Sequence, residues 1–212
     1  MTPESSSYQG LRVARKIDPN QWQFVADRLF KSMSDEVDNT ICKIYIDLQT
    51  SEGDFQRNIQ DAAQSLCIDL LPELAQLVSK DACQLADATR KLLPQAKELI
   101  MKLELMGNNT CLRWHRDFYV CRSIVSYNNI ATQYTADSNV DFWELDNCGN
   151  NDCVIRDKRR TMSADVGDLI MMKGEKYLGK AKSLVHKSPE IKYHPDGMVQ
   201  SRLVLKVDVL NL

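Results

Sequence analysis

The sequence predicts an α+β fold in which a helical layer covers one face of a β-sandwich or barrel. Two observations carry that expectation. The first half of the chain is rich in Ala, Gln, Leu and Lys, with apolar residues three and four apart. Beyond Pro94 it turns into short β-rich runs separated by clusters of Gly, Asn, Asp and Pro. Helices first and strands afterwards, rather than in alternation, put the helices on one side of a sheet.

Taken in order, residues 1–10 are polar and Ser-rich and are expected to form a disordered tail. Residues 11–97 form a mainly helical part. From Pro19 to about Met33, Trp22, Phe24, Val25, Leu29 and Phe30 recur at helical spacing, with Asp18 or Asn20 available as a cap. Ile41 to Leu48 alternates and is β-branched, which predicts a strand. Asp54 to about Leu93 predicts two or three helices, with Pro72 as the one internal proline. Residues 98–212 form the β core of what is one compact domain. Strands are expected at Leu99–Met106, Cys121–Tyr127, Val140–Glu144, Leu169–Met172 and Arg202–Val209. On the last of these, Leu203, Leu205, Val207 and Val209 share one face, suited to packing under helices. Arg202, Val204, Lys206 and Asp208 share the other, whose polar groups are placed to line a site.

With 212 residues, 43% of them hydrophobic and 26% charged, the chain matches a globular protein. A formal net charge of -2 provides no electrostatic footprint for nucleic acid or an anionic membrane, so neither is expected as a partner. No apolar run approaches the roughly 20 residues of a membrane span. The start of the chain lacks a basic segment followed by an apolar one. Seven scattered cysteines suit reduced thiols better than a disulfide framework. The expected location is therefore intracellular and cytoplasmic, or an organelle if a transit peptide has been removed.

The chain has three histidines, so any imidazole site draws on His115, His186 and His194. In an extended segment, His115-Arg116-Asp117 sets an imidazole and a carboxylate side by side, able to occupy two cis positions on one metal. His186, delivered by Leu184-Val185 before Pro189, adds a second imidazole from a remote β segment. Two histidines and one carboxylate on one face of a metal leave three adjacent positions open, the facial-triad pattern of non-haem iron(II) oxygenases. Each member also has an ordinary role open to it, an ion pair for His115 and Asp117 and a carbonyl-bonded core position for His186. Arg202, at the head of the final strand, has the planar fork that binds a carboxylate by two parallel hydrogen bonds.

The order of His115-x-Asp117, Val166-Gly-Asp168, His186 and Arg202 in Ser-Arg-Leu-Val-Leu resembles the iron(II)- and 2-oxoglutarate-dependent dioxygenase superfamily over roughly residues 98–212. A closer resemblance, carried by Cys111-Leu-Arg-Trp-His-Arg-Asp, Arg122-Ser-Ile-Val-Ser-Tyr, Met172-Lys-Gly and Val185-His-Lys-Ser-Pro, is to a bacterial family of similar length labelled only as a domain of unknown function. The superfamily resemblance implies a double-stranded β-helix, a jelly-roll or cupin-like barrel. It also implies Fe(II) on His115, Asp117 and His186, 2-oxoglutarate as co-substrate and O2 as oxidant. Arg202 would pair with the remote carboxylate of 2-oxoglutarate, and an organic small-molecule substrate would be hydroxylated, desaturated or demethylated. Arg202 follows His186 at a longer interval than is common, because residues 190–199 insert a polar loop. Arg122 is therefore a competing anchor, and Tyr127 is either a hydroxyl donor to the co-substrate or a core residue. The second reading of the triad is a non-catalytic metal-binding or metal-sensing β-barrel, and a third makes the helical half a docking surface.

Trp114 and Tyr119 flank the triad and are candidate substrate walls, although aromatic residues in strands are more often core. His194, in a Pro-Asp-Gly turn, is expected to be exposed. Cys148 and Cys153 lack a second cysteine pair with which to build a tetrahedral zinc site. Lys158-Arg-Arg160 reads as a solvated edge, and Met171-Met172 as core filling. Substrate identity and oligomeric state are not written in any motif.

Overall fold

A computed structural model describes residues 8–33, 40–108, 110–179 and 182–212. Its architecture is mixed α/β, with two antiparallel sheets and helices on one face of the larger. The larger sheet contains β1 (Gly10–Val13), β2 (Thr40–Asp47), β3 (Glu98–Met106), β4 (Cys121–Ser126), β7 (Leu169–Lys173) and β9 (Arg202–Val209), ordered β1-β7-β4-β9-β3-β2. The smaller contains β5 (Gln133–Thr135), β6 (Met162–Ser163) and β8 (Val185–Lys187), ordered β6-β5-β8. Among the described residues the strands form two separate sheets and not one closed barrel.

Alternation along β9 sorts the larger sheet into two faces. Leu203, Leu205 and Val207 pair in register with Leu105, Leu103 and Met101 of β3, and all six are buried in the main core. Over them lie α1 (Gln23–Ser32), α2 (Glu52–Leu66) and α3 (Pro72–Leu92). α2 starts where the Ser51 side chain accepts the Asp54 amide, and it buries Phe55, Ile59, Ala62, Ala63 and Leu66 on one stripe. α3 starts at Pro72, whose missing N–H costs nothing in a first turn, and it turns Leu74, Val78, Ala82, Leu85 and Ala86 inward. The opposite face of the larger sheet carries Ile124, Ile170, Met172 and Val204, which meet Tyr134 of the smaller sheet and Ala131, Ala164 and Leu184 beside its strands. The two sheets thus enclose a second, thinner core.

Several expectations change. Residues 1–7 of the predicted tail lie outside the described residues, but Gly10 begins β1, an edge strand against β7. A Cβ on Gly10 would sit 2.8 Å from the Met171 carbonyl oxygen, so this pairing needs glycine. The first helix starts at Gln23 with neither Asp18 nor Asn20 as its cap, and Phe24, expected on its apolar stripe, is exposed. The strand expected at Val140–Glu144 shrinks to one bridge between Val140 and Ile155. Asp141 accepts the amides of Trp143 and Glu144 and starts α4 (Phe142–Asn147), so a side-chain cap overrides the β preference of Phe and Trp. α5 (Asn151–Val154) follows.

Leu205 is fully buried between β3, β4 and the helices. Leu205→Ala is expected to lower unfolding free energy by about 2–5 kcal/mol in urea titration, with the helical circular dichroism of the folded state retained.

Candidate metal centre

His115 and His186 face each other across an antiparallel bridge, each amide donating to the other's carbonyl at 2.9 and 3.0 Å. Directly opposed residues project to the same side, so the rings stand 4.5 Å apart between centroids. His115 Nδ1 faces the Arg113 carbonyl at 2.8 Å, and His186 Nδ1 faces the Leu184 carbonyl at 3.1 Å. A carbonyl only accepts, so each Nδ1 carries the proton and each Nε2 keeps its lone pair. Those Nε2 atoms point at Asp117, 3.8 Å and 3.4 Å from its carboxylate oxygens. Burial holds the His186 imidazole below its ordinary pKa, partly offset by Asp117, which favours the neutral form a metal requires.

Ligand atoms of these three residues all lie within 4.8 Å of one another, in the one such cluster of histidine, cysteine and carboxylate side chains among the described residues. The donor set therefore fits a divalent ion with open positions, on the chemistry of two presented imidazole nitrogens and one carboxylate. Asp117 is held there by backbone contacts as well. Glu175 donates its amide to the Asp117 carbonyl at 2.9 Å, and a Cβ on Gly174 would lie 2.1 Å from the Tyr119 carbonyl oxygen. The glycine after β7 is what allows that strand end to approach the ligand segment.

Arg122, on β4, is already engaged by two carboxylates. Its Nη1 donates to both Asp117 oxygens at 3.0 Å, while Nε and Nη2 donate to Asp208 at 2.7 and 3.0 Å. Burial alone would lower its pKa, but Asp208 and then Asp117 raise it above the ordinary value. The ring of Tyr119 lies over this guanidinium at 4.5 Å, so Tyr119 stands beside the triad.

Arg202 is different. It is 4% exposed, and its hydrogen bonds go to the Ile130 carbonyl, Met106 Sδ and Ser188 Oγ, all neutral. Among the described residues no carboxylate forms a salt bridge with it, and burial pushes its pKa down to about 10. It opens on a small cavity lined also by Thr110, Asn129, Gln200, Lys192 and Glu190, the last of these paired with Lys187. Thr110 Oγ1 and Asn129 Oδ1 are buried without a hydrogen-bond partner among the described residues.

Tyr127 is not in this site. It is fully buried on the helix side of the larger sheet, where its hydroxyl donates to Asp81 at 2.9 Å, beside the Arg15–Asp81 ion pair. It leaves β4 on the face opposite Arg122, so it cannot serve as a hydroxyl donor at the metal. Trp114 is likewise turned away from the imidazoles. Next to His115 in sequence, it projects to the other side and packs with Val140, Val154, Ile155 and Val185. There it borders a cleft of about 710 Å³ rather than the metal centre. His194 is half-buried, with Nε2 2.8 Å from Asp27, and so is not a free turn histidine. Cys148 and Cys153 are exposed free thiols. Lys158 and Arg159 pair with Asp152 and Asp157 in a 3-10 turn.

The residues that motif reading missed are Asp208 and Lys102, which form an ion pair at 2.7 Å on the buried face below Arg122, and Thr110 and Ser188 near Arg202. Only Asp208 had a signal in the sequence, its place on the polar face of the last strand.

Fold and site together define a mixed α/β protein with antiparallel sheets and a candidate His-Asp-His metal centre. The chain belongs to the family described as "Protein of unknown function (DUF1826)", which matches residues 13–208. No curated protein matches it. Among solved structures it is similar to a Pseudomonas putida prolyl-4-hydroxylase, at TM-score 0.40 and 14% identity, over 97% of this chain and 94% of that one. It is also similar to a full-length Neurospora crassa protein in complex with alpha-KG, at TM-score 0.42 and 10% identity, over 95% of this chain and 74% of that one. No helix among the described residues is long and apolar enough to cross a membrane.

Tyr127→Phe is expected to cost about 1 kcal/mol in urea unfolding, the usual worth of one buried hydrogen bond. Divalent-metal affinity measured by calorimetry should be unchanged, as the hydroxyl lies across the sheet from the triad.

Proposed function

We propose that this chain is a non-haem iron(II)- and 2-oxoglutarate-dependent oxygenase acting on an organic small molecule, with its two sheets forming an open version of the double-stranded β-helix. The observation that carries the reading is the pairing of two unlike features: three presented metal donors, and a buried arginine with no carboxylate of its own. A buried guanidinium satisfied only by neutral acceptors is costly, and an incoming carboxylate removes that cost.

The charges on the site face support an anionic ligand. Arg122 and Lys102 are matched by Asp117 and Asp208, and Lys206 by Glu104, which leaves Arg202 as the one of these buried cations without a salt bridge, Glu104 acting on it only through space. Position agrees with charge. Arg202 bonds Ser188, which lies two residues beyond His186 and so about 6.5–7 Å further along the chain in extended backbone. A five-carbon keto diacid held by its keto-acid end at the triad would present its far carboxylate toward Arg202.

In this reading His115, Asp117 and His186 hold the iron, which when bound supplies the activation of dioxygen coupled to oxidative decarboxylation of 2-oxoglutarate to succinate and carbon dioxide. Arg202 binds and orients the far carboxylate by paired N–H donors, and the Thr110 hydroxyl is a further donor in the same cavity. Arg122 keeps the Asp117 carboxylate aimed inward and is not the co-substrate anchor. Tyr119 forms one wall near the reacting centre.

Anaerobic addition of iron(II) and 2-oxoglutarate to the protein is expected to produce the weak visible charge-transfer band of the chelate. His186→Ala should abolish it. Arg202→Met should weaken 2-oxoglutarate about 10- to 150-fold, the loss of about 1.5–3 kcal/mol from a charged hydrogen-bonded contact. A wild-type protein that binds metal without the band and without releasing succinate would instead be a non-catalytic metal-binding protein.

A further inference from the structure

Below the candidate metal centre, charges of alternating sign run in a line from Asp117 to Arg122, Asp208 and Lys102. Arg122 gives one nitrogen to both oxygens of Asp117 and two nitrogens to Asp208. Asp208 is fully buried and also takes the Lys102 ammonium at 2.7 Å. Tyr119 covers the guanidinium, and its ring also lies 5.8 Å from the Lys102 ammonium. Burial would raise the Asp208 carboxyl, but Arg122 and Lys102 outweigh it and hold it ionised.

A guanidinium bonded to a ligand carboxylate has two opposed consequences for a dication. It fixes the carboxylate's direction, and it cancels the charge that attracts the metal. Asp117 and Arg122 alone sum to zero. Asp208 restores one negative charge from a position where it cannot itself reach the metal, and Lys102 takes part of it back from the far side. We infer that Asp208 is the counter-ion of the metal centre, acting through Arg122, and that Lys102 opposes it, so that these two positioning residues set metal affinity without touching the metal. The inference rests on reading His115, Asp117 and His186 as metal ligands, and it adds what tunes them.

The two residues make opposite predictions, although removing either one breaks the same buried ion pair. With cobalt(II) alone as the probe, followed through its visible absorption, Asp208→Asn should weaken binding about tenfold or more, because a unit charge acting across a poorly screened interior is worth at least that. Lys102→Met should tighten it about threefold or more. Opposite signs support the inference, since damage to the sheet would weaken both. Equal weakening, or no change in either, overturns it. If Asp208→Asn fails to fold, as judged by circular dichroism, Lys102→Met decides alone: tighter binding supports the inference, and weaker or unchanged binding overturns it. Wild-type protein that takes up no cobalt would remove the metal reading and this inference together, whereas wild-type binding with unresponsive variants removes only the inference.

Discussion

Two backbone hydrogen bonds between His115 and His186 join segments far apart in the chain, and the geometry of the candidate centre follows from them. Because the residues are directly opposed in an antiparallel bridge, their rings must emerge on the same side. The carbonyls of Arg113 and Leu184 then choose which nitrogen keeps its lone pair. A shift of one residue in that register would send one imidazole toward the Trp114 cluster and leave Asp117 facing a single ring. Backbone pairing therefore decides both the direction and the tautomer of the nitrogen donors.

Around that bridge, the larger sheet divides its work by face. Leucine and valine on one side of β9 bury against α1 and α3, within the main core where the hydrophobic stabilisation resides. The other side carries Arg202, Lys206 and Asp208, all three buried out of water. Buried charges of this kind are expensive unless matched. Matching is complete for Lys206 with Glu104 and for Arg122 with Asp117 and Asp208, and it is incomplete for Arg202. The contrast separates an arginine held by two carboxylates from one held only by neutral acceptors, a difference that their positions along the chain do not reveal.

Much of the fold was legible because periodicity reports burial. The two long helices and strands β2, β3, β4, β7 and β9 follow from spacing and β-branched content, with β9 matching its expected bounds. What escaped was local and short. The three-stranded sheet is built from runs of two or three residues, too brief for a period to show. At Val140–Glu144 an aspartate cap outcompeted an aromatic strand signal.

By itself, the sequence determined residue types and alternation: two imidazoles, a carboxylate two residues from one of them, and a last strand with one apolar and one charged face. Such information is local, set by the pleat and the helical turn. Which arginine is left without an anion, which tyrosine lies across the sheet, and which charge stands behind Asp117 were decided by the tertiary structure. Ion pairing inside a protein depends on distances between residues that are remote in the chain, and packing alone sets those distances.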